Sequence, residues 1–295
     1  MTDKIKDYIK DKRDTLSKSS ITTYASILKN LYRRIWGDDE NDMSKFNETK
    51  KVLDFLKDLP PNKRKTTLSA LVIITDKKPY RDLMLEDVRD YNKEISKQKK
   101  SDTQEDNWIS KEMINDLIKE QKQNATLLYK KSQLAPADLQ QIQGYIILCL
   151  LGGSHIPPRR SKDFTDFKIR NIDKDKDNYI EKGKMVFNSY KTAKTYGRQE
   201  VDIPTALKTI LNKWIKVNPT DYLLFDTNYK PLSSVKLNQR LNKLFYGKKI
   251  SVNMLRHIFL TDEFGDTIAQ KKKVADTMED MGSSSNMLTT YVKND

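Results

Sequence analysis

The sequence predicts a mainly α-helical chain with one small β-hairpin, an α+β fold in two domains. Three observations predict it. Apolar residues recur at intervals of three and four through most of the 295 residues, the spacing of helices with one buried face. Residues 185–204 alone carry two strand-like segments around a long tip, the signature of a hairpin. Residues 96–106, S-K-Q-K-K-S-D-T-Q-E-D, contain no apolar residue and read as a break between domains. The boundaries are then 1–100, a linker at 101–107, and 108–295.

In the first domain, Ser19 or Ser20 caps a helix whose inner face is Ile21, Tyr24, Ile27, Leu28, Leu31, Tyr32 and Ile35, ending before Gly37. Asn47 caps a second helix holding Val52, Leu53, Phe55 and Leu56. Pro60-Pro61 breaks the chain, and a third helix buries Leu68, Leu71 and Val72. Its first turns, N-K-R-K-T-T, set Lys63, Arg64 and Lys65 at a helix N-terminus. That arrangement fits a phosphate contact and a solvated basic turn equally. A fourth helix spans about Leu85 to Ile95, which completes a helical bundle with no strand pattern.

The second domain opens with helices over about 110–133 and 136–152, the latter ending in Gly152-Gly153. Next comes H-I-P-P-R-R-S-K-D-F-T-D-F-K-I-R. Counting from Arg160, a carboxylate falls at Asp163 and apolar residues at Phe164, Phe167, Ile169 and Ile172. The first spacings are helical and the later ones strand-like. Arg160 therefore starts a short helix that runs into a strand, with Asp163 one turn on to hold its guanidinium. Counting from Arg159 gives a poorer fit. M-V-F-N-S-Y-K and Q-E-V-D-I-P form the hairpin, and Lys191 and Lys194 lie on its tip. Helices follow from Pro204 to Trp214 and over 235–245, with a short buried segment at 222–225 between them. Ser251 caps the helix that carries Arg256, and Val274, Met278 and Met281 form an apolar stripe that stops at Gly282. Ser283-Ser284-Ser285 cap a last helix bearing Tyr291.

Composition narrows the function classes. Lys and Arg total 55 against 41 Asp and Glu, a net charge of +14. That excess calls for a polyanionic partner, most commonly nucleic acid. It is uneven: residues 1–106 carry 24 cations and 20 anions, and the remainder 31 and 21. No apolar run reaches the roughly 18 residues a membrane helix needs. The charged N-terminus does not read as a signal peptide, so an intracellular site, cytoplasmic or nuclear, is expected. Cys149 is the single cysteine, so no disulfide forms within the chain. His155 and His257 cannot by themselves build a metal centre.

In order and context the residues resemble the tyrosine recombinase, or phage-integrase-like, family. The resemblance covers about residues 145–293. It rests on Arg160-x-x-Asp163-Phe164 after a helix, and on Lys191 in Y-K-T-A-K-T-x-G with Lys194 as second choice. The string L-R-H-x-F holds Arg256 and His257, and M-G-S-S is followed by Tyr291 nine residues after the glycine. The N-terminal helical unit matches the family's DNA core-binding domain in architecture only. P-P-R-R and Y-K-T-A-K are similar to strings in recombinases of large viruses and eukaryotic mobile elements. Two positions depart from the family pattern. Asn253 stands where a histidine is usual, and Ser283 where a histidine or tryptophan is usual. Both can donate a hydrogen bond, but neither titrates near neutrality.

The resemblance implies site-specific DNA recombination or integration through a 3′-phosphotyrosyl intermediate. Tyr291 would be the nucleophile, with Arg160 and Arg256 clamping the phosphate and Lys191 as general acid. Asn253 and Ser283 would add hydrogen bonds. His257 belongs to the same set, although it lies about 100° round the helix from Arg256. Asp163 would support Arg160, with Arg159 the alternative arginine. Such chemistry takes no metal, ATP or other cofactor. The implied partner is double-stranded DNA, bound by a homotetramer across two sites, with no membrane. A type IB topoisomerase-like nicking and resealing enzyme, or a DNA-binding protein that has lost catalysis, are the other readings.

Overall fold

The computed structural model describes residues 2–37, 42–282, 284 and 287. The chain is mainly helical, with one three-stranded antiparallel sheet. It divides into two compact units, Met1–Lys100 and Ser101–Asp295.

Unit 1 begins with helix α1, Thr2–Lys12, where the sequence reading assigned nothing. Ile5 and Ile9, four residues apart, are fully buried. Two such side chains, each worth about 1.5–3 kcal/mol of burial, suffice to dock an otherwise charged helix. Helix α2, Lys18–Trp36, is capped by Ser17, not by Ser19 or Ser20. The Ser17 hydroxyl accepts from Ser20 N at 3.1 Å, and the helix ends at Gly37 in the left-handed region. Asn47 does not cap the next helix. It closes a 3-10 turn, Met43–Asn47, and donates to Ser44 O, so helix α3, Thr49–Leu56, starts without a side-chain cap.

Helix α4 spans Pro61–Thr75, and helix α5 spans Lys78–Ser96, starting seven residues earlier than its apolar pattern indicates. Pro79 lies in its first turn, where a proline's fixed φ is already helical and its missing N–H costs nothing. Leu28, Tyr32, Phe46, Leu56, Leu68 and Leu71 pack in the core, and Tyr80 donates its hydroxyl to Phe46 O at 2.6 Å.

Unit 2 begins within the segment read as linker. Ser101 and Gln104 form a capping box that starts helix α6, Asp102–Asn107. The Asn107 side chain accepts from Lys249 N at 2.7 Å, which ties α6 to the rest of this unit. Helix α7, Lys111–Leu128, ends earlier than the sequence pattern implied. Helix α8, Pro136–Leu151, is buried from Ile142 through Leu151 and forms the centre of the unit. It is apolar on every side, as a surrounded helix must be. Its one deep polar residue, Gln143, pairs with the Phe225 backbone in both directions, at 2.8 and 2.7 Å.

The short helix α9 covers Ser161–Thr165. The strand expected after it is reduced to single bridges from Lys168 to Tyr179 and Tyr222. Strands β1, Tyr179–Glu181, and β2, Lys184–Phe187, form a tight hairpin. Its turn residues Lys182 (φ 50°) and Gly183 (φ 80°) both lie at positive φ, the geometry a two-residue hairpin needs. Strand β3, Gln199–Asp202, completes the sheet, with Met185 opposite Val201 and Phe187 opposite Gln199. Between β2 and β3 the tip contains one helical turn, α10, Ala193–Tyr196. Helices α11, Thr205–Val217, and α12, Ser234–Leu244, follow.

Helix α13 runs unbroken from Val252 to Asp280. It joins the Arg256 segment and the Val274–Met278 stripe, which the sequence reading kept apart. Ser251 caps it, accepting from Met254 N at 3.1 Å. Among the described residues no helix is long and apolar enough to cross a membrane.

Candidate active site

Two arginines far apart in sequence come together in unit 2. Arg160 is the N-cap residue of α9 and is exposed. Arg256 lies in the second turn of α13 and is half-buried. The Arg256 guanidinium is held below its ordinary pKa, first by burial and next by the Arg160 cation beside it, with Asp163 opposing. The two cations repel each other, and an anion beside them offsets that repulsion. One anion is already present. Asp163 is buried, and Arg159, Arg160 and Arg256 all act on it electrostatically. Burial still dominates and pushes its carboxyl above the usual range. Its Oδ2 accepts from Arg159 Nε at 2.8 Å, while Oδ1 is buried with no hydrogen-bond partner among the described residues.

One backbone contact sets how α13 meets the loop before α9. Gly153 has φ +81°, and a Cβ there would stand 2.6 Å from the Phe259 ring of α13. Only glycine fits that close approach and that backbone.

Arg159 does different work from Arg160. Besides Asp163, it donates Nη2 to Gln199 Oε1 on β3 at 2.9 Å. Its guanidinium lies 3.9 Å over the Phe187 ring of β2 and 5.5 Å from the Tyr190 ring. It thus joins α9 to both strands that carry the tip. The expected hold of Asp163 on Arg160 is not made: the carboxylate bonds Arg159, four residues before it, instead. Arg160 is exposed and has no hydrogen bond or ion pair among the described residues.

The tip is closed by its own bonds. Tyr190 is buried and donates to Gly197 O at 2.6 Å. Gly197 takes φ 66° and ψ −160°, a backbone that favours glycine. Asn178 anchors the base of the tip: it donates to Asp163 O and Ser189 O, and accepts from Asn188 N and Ser189 N. Lys191 and Lys194 are exposed on this tip, with no hydrogen bond or ion pair among the described residues.

On α13, Asn253 and His257 are exposed and lie 3.2 Å apart, Nδ2 to Nε2. One helical turn therefore presents Asn253, Arg256 and His257 together. Ser283 and Tyr291 lie outside the described residues.

Sequence reasoning missed Asn178 and Gln199, and ranked Arg159 only as a substitute. Nothing local marks Asn178, because its partners are 10 to 15 residues away. In unit 1, Arg64 turns inward. It makes a bidentate pair with the fully buried Asp87, at 2.7 and 3.0 Å, and donates to Lys57 O. Lys65 lies over the Tyr91 ring, and burial lowers its pKa. Of the three basic residues assigned to a phosphate, Lys63 alone is exposed.

No protein-family model and no curated protein matches the chain. Among solved structures, the crystal structure of XerA recombinase is similar over 89% of this chain and 83% of its own, at 13% identity and a TM-score of 0.36. The crystal structure of a lambda integrase(75-356) dimer bound to a COC′ core site is similar over 91% and 88%, at 13% identity and a TM-score of 0.40.

Proposed function

We propose that this chain cuts and rejoins DNA strands at specific sites through a covalent phosphotyrosyl intermediate. The observation that carries the reading is the meeting of Arg160 and Arg256, 96 positions apart in sequence, around the buried Asp163. Such a pair suits the non-bridging oxygens of a phosphodiester, where charge gathers in the transition state. The net charge of +14 favours a DNA partner.

In this reading the Tyr291 oxygen gives its proton to the His257 imidazole and bonds to phosphorus as the bond to the 5′ oxygen breaks. Lys191 on the closed tip, with Lys194 as the alternative, gives the leaving oxygen its proton. Attack by a 5′-hydroxyl reverses the steps and releases Tyr291. Because the phosphotyrosyl ester conserves the bond energy, no ATP is spent. Asn253 and Ser283 hydrogen-bond the phosphate. His257, held 3.2 Å from Asn253, is the base nearest to that phosphate in this reading. Lys63 contributes a DNA-backbone contact from unit 1. Four copies on two DNA sites form the recombining assembly, and a viral or mobile-element role suits the chain.

The test is incubation with nicked duplexes that trap the intermediate. A protein–DNA adduct is expected that disappears in Tyr291→Phe while DNA binding persists. Adducts that survive in that variant refute the assignment. Adducts without joining of two partner sites select the topoisomerase-like reading.

A further inference from the structure

Unit 2 has a second concave feature that shares no residue with the arginine site. A cavity of about 860 Å³ opens between α7, α8 and α11, within the size range of small-molecule sites. Four lysines line it, Lys119, Lys122, Lys130 and Lys213, and no carboxylate does. Among the described residues elsewhere in the unit, some lysines are matched by carboxylates and others, Lys191 and Lys194 among them, are not. Lys131 is matched by Asp138, Lys236 by Asp226, and Lys111 by Asp262 and Glu263. Lys119 reaches Asp116 across one exposed turn. Among the described residues Lys122, Lys130 and Lys213 have no ion-pair partner.

The lining is not uniformly charged. Ile118, Ala125, Ile210 and the rings of Tyr129 and Tyr145 supply apolar surface. Asn115 and Ser154 supply polar groups on one wall: Ser154 Oγ donates to Asn115 Oδ1 at 2.7 Å, which leaves the Asn115 amide N–H groups to donate. His155 lines the same cavity. Burial, and then the Lys122 cation, keep its pKa below the ordinary value. The imidazole therefore registers the positive field of the cavity.

A ligand must carry several anionic oxygens to satisfy separate lysines, together with a flat or apolar body for the floor. A simple carboxylate has one charge, and inorganic phosphate has no body. We propose that this cavity binds a nucleotide, with phosphate among the lysines and base against the Tyr145–Ile210 side near Asn115. The nucleotide comes either free or as an unpaired residue of a DNA strand, and the chemistry recognised is the same.

The experiment follows the two histidines of the full chain by NMR during titration with dAMP, a 5′-phosphorylated five-residue oligothymidylate, inorganic pyrophosphate and laurate. Bound phosphate favours imidazolium, so dAMP is expected to raise the His155 titration midpoint by about one pH unit, and to do so equally in Arg256→Ala, where the arginine site is broken. Lys213→Glu, at an exposed position, is expected to weaken dAMP at least about tenfold, since a repulsive charge replaces an attractive one. Ala206→Trp, also exposed and at the cavity wall, is expected to block it by filling space. Tighter binding of the oligonucleotide than of dAMP identifies a strand-borne residue, and the reverse identifies a free nucleotide. The proposal is overturned if pyrophosphate binds as tightly as dAMP, because the base is then unread. It is equally overturned if laurate displaces dAMP, if no nucleotide binds, or if both variants bind as the parent chain does.

Discussion

Arg159→Ala is expected to destabilise unit 2 by about 3–5 kcal/mol, the cost of stranding a buried charge. The figure follows from the surroundings of Asp163. Its side chain is 5% exposed, and among the described residues its only hydrogen-bond donor is Arg159 Nε, at 2.8 Å. Removing Arg159 also takes the bond to Gln199 and the stacking on Phe187. Arg159→Ala with Asp163→Asn removes the stranded charge as well, so the pair should cost about 1–2 kcal/mol, near that of an ordinary lost hydrogen bond. Burial already holds the Asp163 carboxyl above its ordinary range, and without Arg159 nothing adjacent opposes that push as strongly. A raised folded pKa means that the folded state keeps the proton to higher pH. The penalty of Arg159→Ala should therefore be full at neutral pH and shrink as pH falls through that raised value. The assay is urea unfolding followed at the Trp214 indole N–H, which is buried and donates to Leu223 O at 2.8 Å. A penalty below about 1 kcal/mol, or one unchanged by Asp163→Asn, refutes the argument that this ion pair holds the site together.

Four further outcomes are expected. Gly153→Ala should cost about 2–4 kcal/mol, combining a left-handed backbone with a clash against Phe259, and calorimetry should show a lowered transition. Arg64→Ala leaves the fully buried Asp87 unpaired and should cost unit 1 about 3–5 kcal/mol, read by Trp36 fluorescence. The folded pKa of His155 is depressed, so below the ordinary 6.5 the unfolded chain takes up a proton that the folded chain refuses. Stability should fall from pH 7 toward pH 5, and His155→Gln should flatten that slope in denaturation curves. Arg160→Ala and Arg256→Ala should each lower adduct formation about 10²–10³-fold on nicked DNA, the usual effect of losing one charge-stabilising donor.

Helix existence was legible wherever a stripe was long, as in α2, α4, α8 and α11. Starts were less legible. Ser17, Ser19 and Ser20 are equivalent caps until the chain's direction selects one, and Pro79 marks a helix start only once α5 is seen to begin there. Strand β1 was hidden because three residues carry too little alternation to read. The sequence by itself determined the helical class and the surplus of cations, because apolar spacing and charge are properties of the chain alone. Tertiary structure alone decided what Arg159, Arg64, Asn178 and Gln199 do. Arg64 and Asn178 each meet a group contributed by a distant segment, and Arg159 adds to its local pair with Asp163 a bond to Gln199 on β3; the demand that buried polar atoms be paired operates through space as well as along the chain.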